Sequence, residues 1–108
     1  MDSVKQGSGI DLITVRVYKQ GSDVVVAACD KHLLGQTFRE GEMRLTVSPG
    51  FYEGEDADEE MLVNRLSGCT VANLVGEDVC RIAAKHDFIA EDGVLIIGGV
   101  PHAQMVRY

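Results

Sequence analysis

Hydrophobic residues recur at two different periods along this chain of 108 residues, and the change between the periods constrains the fold most strongly. From Ile10 to Lys19, apolar and polar residues alternate, which is typical of a half-buried β-strand. A turn at Gln20-Gly21-Ser22 leads into the apolar, β-branched stretch Asp23 to Cys29, so the two segments are predicted to form a hairpin. The chain is therefore predicted to begin with β-sheet.

The helical period follows in the second half. Asp56 or Asp58 is predicted to be the N-cap of a helix whose apolar stripe ends near Ser67-Gly68. A second amphipathic helix is predicted from Glu77 to His86, where one face carries, at i, i+3, i+4 and i+7, the residues Val79, Ile82, Ala83 and His86. Between them, Thr70 to Val75 is predicted to be a strand, with an extra helical turn as the alternative.

The remaining segments complete an α+β pattern. The stretch Asp30 to Gly41 is compatible with one helical turn or with an irregular loop, and a central strand is predicted at Val94 to Ile97. Shorter extended segments are predicted at Arg44 to Val47 and at Ala103 to Val106. This order predicts a two-layer sandwich, in which a mixed sheet of about four or five strands carries two helices on one face. Residues 1–9 are predicted to be a flexible tail, and residues 10–108 a single domain.

Charge and cysteine content exclude several classes of protein. Ten Lys and Arg against 17 Asp and Glu give a net charge of −7, which disfavours general binding to duplex DNA because such binding neutralises phosphates with cations. No apolar run approaches the roughly 20 residues that span a bilayer, so no membrane association is expected. The three cysteines are widely spaced and are expected to be free thiols in a reducing cytoplasm, with a Cys69–Cys80 bridge as the alternative.

The most unusual segment is IIGGVPHAQ, which ends at residue 104. Gly98 and Gly99 are expected to permit close approach of a ligand to the backbone. Pro101 is expected to make a rigid bend that presents the imidazole of His102 beside Gln104. The alternative is that the glycines form a bulge and that the histidine caps a neighbouring backbone group.

Two further polar residues are candidates for the same site. Asn73 lies among apolar residues, so it is expected either to lock neighbouring loops or to contact a ligand. Asp30 directly follows the predicted apolar strand Asp23 to Cys29 and is a candidate to assist the histidine. No metal or cofactor is predicted, because the Cys29–His32 spacing lacks two further zinc ligands and helix capping accounts for most of the acidic run Glu53 to Glu60.

These residues support two hypotheses of function. The first is a non-catalytic interaction module that binds a protein or RNA partner through the bend around His102. The second is a small enzyme that uses His102 as general acid or base, assisted by Asp30, Gln104 or Asn73. Dimerisation through an uncovered sheet edge is a further expectation.

Several blocks of the sequence resemble a known family. They are VVAACDKHLLGQTFREG, LTVSPGFYEG, ANLVGEDVCRIA and the terminal GGVPHAQMV. Together they resemble a family of small archaeal proteins known as domain-of-unknown-function family 424. The resemblance implies an archaeal source, a compact α+β domain and an unassigned function, and it transfers no catalytic residue.

Overall fold

The computed structural model describes residues 12–107, and the predicted tail at residues 1–9 lies outside them. The described strands are β1 (Ile13–Gln20), β2 (Asp23–Asp30), β3 (Thr37–Glu40), β4 (Met43–Thr46), β5 (Glu55–Ala57), β6 (Val71–Val75), β7 (Leu95–Ile97) and β8 (Val100–Val106). The described helices are α1 (Pro49–Tyr52), α2 (Glu59–Ser67) and α3 (Glu77–Lys85), with short 3-10 turns at Lys31–Leu33 and Glu91–Gly93.

Six of these strands form one mixed sheet in the order β5-β1-β2-β6-β8-β7. Only β2 and β6 run parallel within it, and the other neighbours are antiparallel. Strands β3 and β4 form a separate antiparallel hairpin. The predicted α+β class is confirmed, but the sheet has six strands instead of four or five.

Helices α2 and α3 pack on the same face of this sheet, as predicted. The N-cap of α2 is Asp58, whose Oδ1 accepts a hydrogen bond from the N–H of Met61 at 2.9 Å. The buried residues of both helices join the inward residues of β1, β2, β6 and β8 in one apolar cluster, which includes Leu62, Leu66, Leu74, Val79 and Ile82. We call this side of the sheet the helical face.

The opposite face is only partly covered. The β3–β4 hairpin and α1 pack over one part of it, around a second cluster that includes Cys29, Val47, Tyr52, Val75 and Ile97. This small second layer was not predicted. Beyond it, side chains of β6, β7 and β8 remain accessible, namely Val71, Asn73, Leu95, His102, Gln104 and Val106. We call this uncovered strip the open face.

Several local predictions are tested by these elements. The predicted strand at Thr70 to Val75 is present as β6 (Val71–Val75), and Asp30 to Gly41 contains both a 3-10 turn and strand β3. The prediction of a central strand at Val94 to Ile97 was wrong, because β7 lies at the edge of the sheet. Within residues 12–107, no helix is both long enough and apolar enough to cross a membrane.

Candidate functional site

The seven candidate residues do not converge on one pocket. A cleft of about 340 Å³ opens at the end of β2 and β6, and Asp30, Gly99 and Pro101 line it. His102, Asn73 and Gln104 instead lie on the open face. Because successive residues of a strand point to opposite sides, Pro101 turns toward the helices and His102 away from them.

Asp30 acts as a cap for α3. It is 2% exposed, and its two carboxylate oxygens accept hydrogen bonds of 3.0 Å from the N–H groups of Asp78 and Val79. A carboxylate at this position satisfies two of the helix's free N–H donors and interacts favourably with the positive end of its dipole. Burial raises the pKa of Asp30, and the two backbone hydrogen bonds oppose that shift.

Gly76 makes this cap possible. It lies between β6 and α3 with a φ of 117°, and a Cβ there would overlap the carboxylate of Asp30. The β2 strand ends beside it because β2 and β6 are parallel neighbours, with Cys29 opposite Val75. The anion-binding position of α3 is thus already occupied by the chain's own carboxylate.

Gly98 and Gly99 form the tight turn between β7 and β8. Their φ values of 57° and 84° fit a two-residue hairpin turn in which both central residues are left-handed. The N–H of Gly98 donates to Oε1 of Glu40 at 2.9 Å, and a Cβ on Gly98 would lie 2.9 Å from the carbonyl oxygen of Arg39. The close approach predicted for Gly98 is therefore an approach to β3, and the glycines make a turn and not a bulge.

Pro101 does not bend the chain as predicted, because it lies inside β8. Its carbonyl accepts a hydrogen bond of 2.9 Å from the N–H of Gly76, beyond the end of β6. The last pair of the β6–β8 ladder is Val75 with His102. The missing N–H of Pro101 therefore removes no hydrogen bond from the sheet, and the strand continues through the proline.

His102 is half-buried on the open face, opposite Leu95 of β7. Among the described residues its ring makes no hydrogen bond, so it does not cap a backbone group. Burial lowers the pKa of His102, which favours the neutral imidazole. The ring is partly accessible, but the carboxylate of Asp30 lies on the other face of the sheet.

Asn73 and Gln104 form a cross-strand pair. They are opposite each other on β6 and β8, and Nε2 of Gln104 donates to Oδ1 of Asn73 at 2.8 Å. Asn73 therefore does not lock loops, because its partner is a neighbouring strand. The pair supplies amide donors and acceptors on a flat surface beside His102.

Sequence reasoning missed the exposed apolar residues of β7 and of the end of β8. Leu95 is 47% exposed and Ile96 is 52% exposed on β7, and Val106 is 57% exposed at the end of β8. The run VLII was interpreted as buried because all of its residues are apolar, and nothing in the run itself indicates an edge. An edge position would have required the strand order, which the sequence does not contain.

Sequence reasoning also missed a pair of arginines. Arg39 and Arg44 lie directly opposite each other on the β3–β4 hairpin, and both are exposed. Like charges in this arrangement destabilise a hairpin. The alternation on both sides of Gly41-Glu42 carried the signal, since it predicts a tight hairpin with these residues in register.

The described residues offer little nucleophilic or metal chemistry. Cys29, Cys69 and Cys80 are buried free thiols, and burial raises the pKa of Cys29 and of Cys80 to about 12. Thiols of that kind are inert at neutral pH. Within residues 12–107, no group of three or more His, Cys, Asp and Glu side chains is placed to hold a metal ion.

The structure defines a small α+β domain with one face sealed by helices and the other partly open. Residues 18–108 match the family described as "Protein of unknown function (DUF424)", and the chain belongs to that family. Its fold is similar to that in the "Crystal structure of an uncharacterized conserved protein from Methanopyrus kandleri", with a TM-score of 0.76 and 25% identity over 89% of this chain and 93% of that chain. No curated protein matches the chain.

Proposed function

We propose that this protein is an interaction module that binds an extended segment of a protein partner along the outer edge of β7. The observation that carries the proposal is the exposure of Leu95 and Ile96 on a strand that, within residues 12–107, has no hydrogen-bonded strand on its outer side. An unprotected apolar edge strand is a template for pairing with another strand. The proposal places the module in the cytoplasm, where its three thiols stay reduced.

The backbone of Ile96 faces this edge. Opposite residues of an antiparallel pair either exchange both hydrogen bonds or make none, and Ile96 is opposite Pro101. Pro101 has no N–H, and its carbonyl points the other way, toward Gly76. The N–H and C=O of Ile96 therefore point outward, where a partner strand could pair with them.

The open face adds side-chain contacts to this short edge. Leu95 and His102 form a cross-strand pair, and Gln104 with Asn73 lies in the next row on the same face. A flat strip of apolar, amide and imidazole groups resembles the mixed composition of protein interfaces. Because β7 has only three residues, these side chains must supply most of the affinity and the specificity.

The catalytic alternative has less support. His102 and Asp30 lie on opposite faces, and both oxygens of Asp30 are used by α3. Asn73 is near His102 in the sheet, but its amide oxygen is used by Gln104. No described residue orients the imidazole, whereas an acid–base histidine normally has such a partner.

Selection from a displayed library of random decapeptides tests the proposal. We expect enrichment of peptides that bind the wild-type protein, and a loss of affinity of about tenfold or more for Ile96→Pro, which removes the outward N–H and the side chain. Ile96→Ala keeps that N–H and is expected to lose less affinity. Val17→Lys alters an exposed apolar residue of β1 and is the matched control, with unchanged binding expected.

Three outcomes would contradict the proposal. Binding of the selected peptides to Ile96→Pro as tightly as to wild type would place their site elsewhere. The protein could enrich no peptide but bind an oligouridylate with micromolar affinity, which would make RNA the partner. Sedimentation could show a dimer that Ile96→Lys dissociates, which would make a second copy the occupant of the edge.

A further inference from the structure

We infer, on the basis of the proposed function, that the partner segment is acidic and that Arg39 and Arg44 bind its carboxylates. The two residues lie on the outer face of the β3–β4 hairpin, with Thr37 and Thr46 as the next pair along it. The inner residues Phe38 and Leu45 pack against the sheet instead. The outer face of the hairpin thus presents two guanidinium groups to solvent.

These two arginines differ from the other described arginines, each of which has an acceptor within the chain. Those contacts are Arg16 to the Gly50 carbonyl at 2.7 Å, Arg65 to Glu55 at 3.4 Å, Arg81 to Asp78 at 3.3 Å and Arg107 to the Ser67 carbonyl at 3.2 Å. Between residues 12 and 107, neither Arg39 nor Arg44 has such a contact. A bound anion would relieve the repulsion between them.

The arginine pair lies close to the proposed edge. The N–H of Gly98 bonds to the side chain of Glu40, and a Cβ on Gly98 would lie 3.1 Å from the backbone nitrogen of Arg39. Gly98 is two residues from Ile96, and both hairpin strands contact β7. An extended segment advances about 3.3 Å per residue. The proposed acidic residue therefore lies a few positions from the residue paired with Ile96, in the direction of Gly98.

Carboxylate chemistry fits this arrangement. Guanidinium groups form paired, charge-assisted hydrogen bonds with planar carboxylates. Because both arginines are exposed, the attraction should weaken as salt is added, since screening at physiological ionic strength acts over about 8 Å. The chain is acidic overall, so most of its surface repels an acidic segment. The arginine pair would therefore fix the orientation in which that segment docks.

The peptide selection, repeated on the double variant Arg39→Gln/Arg44→Gln, tests the inference. We expect wild type to enrich Asp and Glu near the apolar anchor residue and the double variant to lose that preference. The best wild-type peptide should bind the double variant about tenfold more weakly and with less salt dependence. Arg81→Gln alters an exposed arginine of α3 and should leave the affinity unchanged.

The results separate this inference from the proposal beneath it. Peptides that depend on Ile96 but show no acidic preference would overturn the inference and leave the proposed function standing. Acidic peptides that bind without dependence on Ile96 would overturn the proposed function. If an oligouridylate shifts the NMR signals of Arg39 and Arg44 at lower concentration than the acidic peptide, the ligand is nucleic acid and the inference is wrong.

Discussion

The two outer strands of the six-stranded sheet differ in the charge of their exposed residues. At β5, the exposed Glu55 and Asp56 form ion pairs with Arg65 and Lys31, at 3.4 and 2.8 Å. At β7, the exposed residues are Leu95 and Ile96, which carry no charge. Inward or exposed charges on an edge strand discourage pairing with another chain, and an apolar edge invites it. The comparison indicates which edge is protected and which is available.

The largest expected effect concerns the β5 edge. Gly54 precedes β5, its N–H donates to Oγ1 of Thr14 at 2.8 Å, and a Cβ there would overlap the carbonyl oxygen of Val15. Because backbone must move to accommodate the methyl group, we expect Gly54→Ala to cost about 3 kcal/mol of unfolding free energy. Chemical denaturation measures this change in the free energy of unfolding. Gly93→Ala, which meets open space, is the control, and equal stabilities of the two variants would contradict the close packing of β5.

The second largest effect concerns α3, which contacts β2, β6 and β8. Asp30→Ala would leave the N–H groups of Asp78 and Val79 without their acceptors, so a loss of about 2 kcal/mol is expected. Amide exchange should increase at the start of α3, and more under β8 than near β5. A variant as stable as wild type would show that the cap contributes nothing.

The raised pKa of Asp30 also predicts the direction in which folding stability changes with pH. Its pKa is raised above the ordinary value of 3.8, so the folded state binds the proton more tightly than the unfolded state. Stability from this group is therefore greatest at low pH and falls as pH rises above about 3.8 toward the raised pKa. Asp30→Asn should remove that fall. An unchanged slope in the asparagine variant would contradict the assignment.

His102 is expected to have the opposite pH dependence on the β7 side. Its pKa is lowered from 6.5, so the unfolded state binds the proton more tightly and stability falls as pH drops below about 6.5. His102→Gln should reduce this loss while leaving the fold intact. If His102→Gln and wild type lose the same stability between neutral and mildly acidic pH, the imidazole is not desolvated in the folded protein.

The smallest effect tests the charges of the protected edge. Lys31 and Asp56 are 41% and 51% exposed, and exposed ion pairs of this kind contribute at most about 1 kcal/mol. Asp56→Asn should therefore change the unfolding free energy by less than that amount, and by less still in high salt. A loss of several kcal/mol would mean that the charge holds β5 in place and does not merely discourage pairing.

The elements with a clear hydrophobic period could be predicted from the sequence. The alternation in β1, the apolar β2 and the stripes of α2 and α3 all gave the correct structure. Strand β5 was missed because it has only three residues, two of which are charged, and because pairing with its neighbour β1 decides its conformation. Pro101 was misread because a proline is harmless in a strand only where no ladder partner faces its nitrogen, and that depends on where β6 ends.

The site was predictable to a lesser extent. The sequence indicated unusual residues at Gly98, Gly99 and His102, and these do lie in or beside the β7–β8 hairpin. It could not show that Asp30 is used by α3, since the contact depends on the parallel pairing of β2 with β6. Nor could it distinguish an exposed Ile96 from a buried one, because strand order determines the difference.

Amide hydrogen exchange at Ile96 tests the central claim most directly. We expect its N–H to exchange rapidly in the free protein, because it points to the open edge, and to become protected when a selected peptide binds. The amides of Glu55 to Ala57 should show no change on binding. Protection of Ile96 already in the free protein, or protection appearing on β5 in place of β7, would contradict the assignment of β7 as the available edge.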